Sequence, residues 1–425
     1  MLCRENPMIR MPSAGSYAAF LLAAWCLAPC GPLASATQAE PLAILGTTIH
    51  TMSGAAIENG IVIVADGKIQ AVGSQDAIAI PPTARIIRAA VVTPGLIDAH
   101  CVIGVAGYLN QDQDQDQLDS TEPVQPELRA IDAYNPRERL VEWVRGFGIT
   151  AIHTGHAPGA LMSGQTMVVK TAGGTLEDAV ILPAAMVSVT LGDGGRSPGD
   201  KKSPGTRSKS VAMLRGELLK GLEYQRKMAD DDAEKRPAPD LRLEAIAAVL
   251  SGTWPMLVTA DRATDIASAL RVAEEFKIRI VLDSAAEAYL LTDMIRKAGV
   301  PVILHPTMRR AGTGETENVS FETAAKLRAA GIPVALQSGY ENYVPKTRVV
   351  LFEAGVAAAN GLSTEEALAT VTIAAARILG VADRIGSLEP GKDADLALFD
   401  GDPFEYTTHC VGTVINGVVA SEEPR

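Results

Sequence analysis

Aromatic side chains are scarce in this chain. Seven Phe, three Trp and eight Tyr make up 4% of its 425 residues, whereas apolar residues together reach 47%. Its core must therefore be built mostly from Ala, Val, Leu and Ile. Basic residues are also in deficit, with 38 Lys and Arg against 50 Asp and Glu, for a net charge of −12. With no basic stripe to neutralise phosphates, nucleic acid is excluded as a partner. Lys and Arg cluster in Arg196–Lys209, but Pro and Gly interrupt that run, and it reads as a solvated loop. Beyond the N-terminus no stretch has the length of a transmembrane helix, so no membrane association is expected once the first segment is removed.

Cysteine is nearly absent from the rest of the chain. Three of the five, Cys3, Cys26 and Cys30, lie in a segment with the pattern of an export signal. Arg4 and Arg10 precede an apolar stretch, Ala18 to Ala28, that is too short to span a bilayer, and Ala34-Ser35-Ala36 supplies a small-x-small cleavage site. The expectation is a signal peptide over residues 1–36, cleaved near Ala36, and a periplasmic or secreted protein. Pro29 before Cys30 fits a lipoprotein box poorly. Only Cys101 and Cys410 remain, on different elements, so no disulfide framework is implied.

The length suits one α/β barrel plus a smaller domain. From Pro41 to Val92 the pattern is of short strands: Ala43–Gly46, Thr47–His50, Ile61–Val64 and Lys68–Val72, with Asp66-Gly67 as a tight-turn pair. The far end repeats this style in Leu396–Phe399, Val411–Ile415 and Val418-Val419, with Asn416-Gly417 as the turn. Between them, strand and helix patterns alternate as parallel α/β architecture requires. Strand candidates are Ile149–His153, Ala185–Thr190, Pro255–Ala260, Ile278–Asp283, Pro301–His305 and Ile332–Gln337. Helices are predicted over Ala263–Phe276, Glu287–Ala298, Phe321–Ala330, Lys346–Ala359 and Ala367–Leu379, with Ser363 and Glu366 placed as a capping box. Two insertions stand out, the acidic, Gln-rich Asn110–Pro126 and the Gly/Pro/Ser/Lys-rich Gly192–Ser208.

The stretch that organises the chain is Val91 to Gly107, VVTPGLIDAHCVIGVAG. An apolar strand that delivers Asp98 and His100 at its carboxyl end is where a barrel enzyme places its chemistry. This segment resembles the first barrel strand of the amidohydrolase superfamily, PGLIDxHxH. Gly386–Leu396, GSLEPGKDADL, is similar to a second signature of that superfamily, GxLxPGKDADL. The branch most similar is the imidazolonepropionase-like and prolidase-like one. The resemblance implies a (β/α)8 TIM barrel with a small β-sandwich domain built from both chain ends. The boundaries it suggests are 37–92 and 385–425 for the β domain and 93–384 for the barrel.

The resemblance also implies a divalent metal such as zinc, held by two strand-one histidines, a strand-four Lys or Glu, histidines from strands five and six, and a strand-eight Asp. His100 stands at the first of these positions. Val102, Thr259, Ser284 and Gly339 stand at the other histidine and Asp positions, and none of these four can coordinate with the strength of the missing group. A single imidazole does not hold such an ion tightly. The remaining histidines suggest a relocated site: His153 ends strand two, His156 follows in a Gly-rich turn, and His305 ends strand seven. His100, His153, His305 and Asp98 form a candidate catalytic set, while His156, Asp283 and Gln337 are candidates for binding a polar substrate. Cys101 neighbours His100 but should point to the opposite face of its strand.

Three other features were weighed. Asp112, Asp114 and Asp116 alternate with Gln like the start of a calcium loop, but Gln117 and Pro123 stand where that loop needs Gly and Glu. Gly192–Gly195 lacks the βαβ setting of a dinucleotide fingerprint. Lys170 reads as part of a hairpin inserted after strand two. Two functions follow as expectations: a hydrolase of non-peptide C–N bonds, such as a cyclic or small dipeptide-like amide, or a catalytically silent barrel that binds a small polar ligand or a partner. The expected partner is a small-molecule substrate or ligand, and a homo-oligomer stays open.

Overall fold

The computed structural model describes residues 40–425 except 198, 200, 201 and 342–345. The expected signal peptide, its cleavage site and Cys30 lie outside the described residues. Among the described residues no helix is long and apolar enough to cross a membrane.

Four strands open the chain: β1 (Leu42–Ile49), β2 (Ile57–Ala65), β3 (Lys68–Ser74) and β4 (Arg85–Pro94). Where the sequence suggested two short strands over 43–50, β1 runs unbroken. The central region carries β5 (Leu96–Cys101), β6 (Ile149–Thr154), β7 (Met162–Gln165), β8 (Met167–Lys170) and β9 (Val180–Leu182). It continues with β10 (Val187–Thr190), β11 (Met256–Thr259), β12 (Ile280–Ser284), β13 (Val302–Leu304) and β14 (Val334–Leu336). The chain closes with β15 (Leu396–Phe399), β16 (Cys410–Ile415) and β17 (Val418–Ser421).

One seven-stranded sheet unites both ends of the chain in the order β17-β16-β15-β4-β1-β2-β3. Its tight turns explain themselves. Asp66-Gly67 and Asn416-Gly417 are two-residue loops whose residues all have positive φ (53°, 74°, 50° and 74°), the geometry that matches strand twist. A Cβ on Gly417 would lie 2.9 Å from Gly67 Cα, so the two turns pack backbone to backbone.

The central strands form a six-stranded sheet, β14-β13-β12-β11-β10-β7, and a four-stranded sheet, β5-β6-β8-β9. The pairs from β10 to β14 are parallel, as is β5 with β6. β7 and β8 are antiparallel to β10 and β6 respectively, and only Thr166 separates them. One extended segment therefore joins the two sheets. It is the hairpin-like insertion around Lys170, and β10 accounts for the strand candidate at 185–190.

Among the described residues ten α-helices accompany these strands. The first five are α1 (Arg139–Arg145), α2 (Leu176–Ala179), α3 (Arg207–Met228), α4 (Leu241–Leu250) and α5 (Ala263–Phe276). The rest are α6 (Thr292–Ala298), α7 (Thr323–Ala329), α8 (Val350–Ala359), α9 (Thr364–Thr370) and α10 (Ile373–Leu379). Ser363 and Glu366 form the reciprocal capping box of α9, worth about 1 kcal/mol. The single helix predicted over 367–379 is two helices. Thr372 leaves helical geometry (φ −137°, ψ −104°), and Val371 O accepts a 2.8 Å hydrogen bond from Ile97 N on β5.

The interior follows the two-residue period of a strand. Ala151, Leu257, Val281, Ile303 and Ala335, from β6 and β11 to β14, pack with Ile97, Ala99 and Val168 in one buried apolar cluster. This layer is the floor of the site.

Candidate functional site

Two residues beyond each floor residue, on the carboxyl side of its strand, comes a polar one: His153 after Ala151, Thr259 after Leu257, Asp283 after Val281, His305 after Ile303 and Gln337 after Ala335. On antiparallel β8 the count reverses, and Thr166 precedes Val168. Strand parity alone thus stacks a polar layer on an apolar one. His100 joins it from β5, whose pairing with β6 is irregular between Asp98 and Cys101. All of these side chains are buried.

Asp283 is the hub. Its Oδ1 lies 2.9 Å from His100 Nδ1 and accepts from Gln337 Nε2 at 2.8 Å; its Oδ2 accepts from Thr259 Oγ1 at 2.6 Å. Burial alone would raise this carboxyl, but the His100 imidazole and these hydrogen bonds hold it below the usual range. With Nδ1 engaged, His100 keeps Nε2 buried and without a partner. Its ring lies 5.2 Å from that of Tyr340 and 5.5 Å from that of His153. Such a pair can orient an imidazole and leave one nitrogen for proton transfer.

The other expected residues divide clearly. Asp98 faces away from Asp283, and it accepts from the backbone and hydroxyl of Ser338 and from His100 N at 3.3 Å. Burial raises its carboxyl to about 6. His153 uses both nitrogens, with Nδ1 2.7 Å from Ala99 O and Nε2 2.7 Å from Thr166 Oγ1. Burial, followed by the neighbouring His100, lowers it to about 3, so it stays neutral. His156 lies against Gly164, with both nitrogens unpartnered and its pKa lowered by burial to about 4. His305 bonds Pro306 O through Nδ1 at 2.7 Å and leaves Nε2 bare. Cys101 packs in the large apolar cluster, its thiol pushed up by burial.

A second polar group borders the hub. Ser284 Oγ donates to Asp261 Oδ1 at 2.6 Å, and Arg309 Nη1 reaches Ser284 Oγ at 3.1 Å and Asp261 Oδ2 at 3.3 Å. Ser284 and Ala285 both have positive φ (65° and 53°), a backbone that non-glycine residues adopt only when their surroundings enforce it. Tyr340, Arg309 and Asp261 had not been singled out. Asp261 could have been found from its place just after β11, but Arg309 and Tyr340 come from loops without a pattern. The acidic segment 110–126 turns inward on itself. Asp114 accepts from Gln111 N and Leu109 N, and Ala157 N bonds Gln117 O. Among the described residues no group of three or more His, Cys, Asp or Glu is arranged to hold a metal ion.

Away from this face, Lys170 is buried and reaches three acceptors: Asp393 Oδ2 at 2.8 Å, Asp395 Oδ1 at 3.0 Å and Asn416 Oδ1 at 2.5 Å. Lys68 and Arg384 also reach Asp393, at 2.6 and 2.9 Å. Burial would raise the Asp393 carboxyl, but these cations, Lys170 first, bring it down to about 2. The Lys-Asp-Ala-Asp stretch that carried the family resemblance is thus a clasp between β8 and the seven-stranded sheet.

Parallel strands with polar side chains at their carboxyl ends are joined to a small sheet by this clasp, and comparison with known proteins finds relatives of that architecture. Residues 216–420 match the profile described as the amidohydrolase family. The solved amidohydrolase of Thermotoga maritima MSB8 superposes with a TM-score of 0.84 at 28% identity, covering 90% of this chain and all (100%) of that one. Imidazolonepropionase of Geobacillus kaustophilus is 28% identical over 398 residues, 85% of this chain and 89% of that protein. Amidohydrolase tasK of Hapsidospora irregularis is 22% identical over 405 residues; this chain spans only 40% of its length. These likenesses support the amidohydrolase superfamily, on its imidazolonepropionase-like side.

Proposed function

We propose that the protein hydrolyses a C–N bond other than a peptide bond, in a cyclic amide or a small dipeptide-like amide, with His100 as the proton-transferring group. The observation that carries this is the buried His100–Asp283 pair with Nε2 left unpartnered. In this reading the two central sheets wrap as an eight-stranded barrel, and the polar layer lies at its mouth. Asp283, fixed by Thr259 and Gln337, holds the imidazole in the tautomer with hydrogen on Nδ1. Nε2 then takes a proton from water as it attacks the carbonyl carbon and returns it to the leaving nitrogen, so the C–N bond breaks with no net proton change. Arg309 and Tyr340 are the groups available to hold the carbonyl oxygen.

The donor set does not fit a divalent cation. His153 has no free nitrogen, Asp283 is shared among three donors, and Thr259, Ser284 and Gly339 offer no strong ligand beside His100. No step is routed through a metal.

One observation favours the second reading, a catalytically silent barrel that binds a small polar ligand. His100, Asp283, His305 and Gln337 are all inaccessible to solvent, so substrate needs an opening. A panel of lactams and dipeptide-like amides, assayed with the purified protein and with His100→Ala, separates the two. Hydrolysis that the variant loses supports the first reading. Turnover unchanged in His100→Ala, or no turnover alongside binding of a polar ligand, overturns it.

A further inference from the structure

One large cavity in the described residues lies away from the polar layer. It lies at the amino ends of the same strands, has a volume of about 1150 Å³, and is lined by Pro255, Ile280, Pro301 and Pro333 at the starts of β11 to β14. Its inner wall reaches Val281, the floor residue directly beneath Asp283. Its rim carries five cations, Arg271, Arg279, Lys297, Arg328 and Arg377, against two acids, Glu274 and Asp293. On a chain with a net charge of −12 this is a local reversal of sign. A concave site lined by one sign of charge focuses its field and draws in counter-ions.

The cations have few close ion pairs, although Glu366 faces Arg328 and Glu389 interacts with Arg377. Lys297, Arg328 and Arg377 each sit in the last turn of a helix, α6, α7 and α10, where the carbonyl end of the helix stabilises positive charge. Among the described residues Lys297 and Arg377 form no ion pair, and Arg328 has only a 3.8 Å approach to Glu366. Arg279 is fixed in the wall by the carbonyls of Gly252 and Thr253, at 2.6 and 3.2 Å. A second cavity of about 360 Å³, lined by Met52, Ile373 and the carboxylates of Glu365 and Glu366, shares both Arg328 and Arg377 with the first. The two guanidinium groups thus stand at the junction of two lobes. The main lobe is otherwise apolar, and Met294 there is 44% exposed, an uncovered hydrophobic side chain. A pocket of this volume, apolar with a few convergent charges, has the make-up of a small-molecule site.

We infer that this amino-end cavity binds a small organic anion with an apolar body, its charged head between Arg328 and Arg377 and its body against Met294, Ile278 and Ala298. The site is independent of the proposed hydrolysis, because it lies on the opposite face of the strands.

Decanoate, decanol and inorganic phosphate separate the parts of this proposal by calorimetric titration of the full mature chain. Decanoate should bind one per chain with a Kd below about 1 mM, and decanol and phosphate at least about tenfold more weakly. The Arg328→Gln/Arg377→Gln variant should lose at least about tenfold for decanoate and leave decanol unchanged. Ala298→Trp, a substitution at an exposed position that fills the lobe, should abolish decanoate binding and guards against misfolding of the double variant. Absence of saturable decanoate binding, equal binding of decanol, or decanoate binding unaffected in both variants overturns it.

Discussion

The molecule contains two buried polar networks, and they differ in completeness. In the clasp, Lys170 has three N–H groups and three acceptors, Asp393 meets three cations, and the one atom without a hydrogen bond, Asp395 Oδ2, still lies 2.9 Å from the Lys170 ammonium. In the polar layer, Asp283 is equally well served, but His100 Nε2, His305 Nε2 and Gln337 Oε1 are left bare. Buried polar atoms without partners are costly and therefore rare. A closed network serves the fold, whereas an open one holds capacity for a ligand. The contrast separates Lys170 from His100 without reference to any relative.

Several measurements would break or sharpen that contrast. Lys170→Met should cost about 3–5 kcal/mol, because it strands the buried Asp395 carboxylate and takes one of three cations from Asp393; urea unfolding that moves by less than half of this would make the clasp dispensable. Thr259→Val leaves Asp283 Oδ2 short of a donor and should cost about 1–3 kcal/mol in the same assay, while His100→Ala should lower any amide turnover by about 10²–10⁴-fold. Acid should reach the open network first. His153 and His156 are lowered from 6.5 to about 3 and about 4, so between those values and 6.5 the unfolded chain binds more protons and stability falls as pH drops. Asp98, raised to about 6, opposes this in part, since its protonated form suits the fold. Asp393, lowered to about 2, loses its contribution only as pH falls from 3.8 towards 2. Glu315, raised by burial to about 7, offsets the histidines further, so the test is by difference: in calorimetric Tm measured from pH 8 to 3, His153→Gln should decline less between pH 6.5 and 3 than the parent chain. At the small end, the exposed His409–Asp400 pair belongs to neither network, and His409→Gln should shift stability by less than about 1 kcal/mol.

Much of this was legible in the sequence, for identifiable reasons. Asp66-Gly67 and Asn416-Gly417 announce tight turns because few other residues tolerate that backbone. The apolar strand ends place His153, Asp283, His305 and Gln337 at one end of the strands because parity fixes which side chains point inward, whereas Asp98 and His100 lie on a strand whose pairing is irregular. Parity does not reveal hydrogen-bond saturation. His153 and His305 look alike as strand-end histidines, yet Thr166 closes one and nothing in the described residues closes the Nε2 of the other. The split at Thr372 was hidden because apolar spacing runs straight through it, and what breaks the helix is a bond to a strand some 270 residues earlier. Lys170 looked like a hairpin residue because its partners lie more than 220 positions away.

The pairing of β4 with β15 has a consequence for how the protein is made. Thr93 on β4 finds its partner in Ala397, about 300 residues later. During synthesis at roughly 5–20 residues per second, that strand edge waits at least about fifteen seconds with its hydrogen-bonding groups unpaired. An apolar edge left open for so long is a template for misassociation with neighbouring chains. The first hundred residues thus depend on the last thirty for a safe native state, and a prematurely terminated chain should aggregate rather than fold.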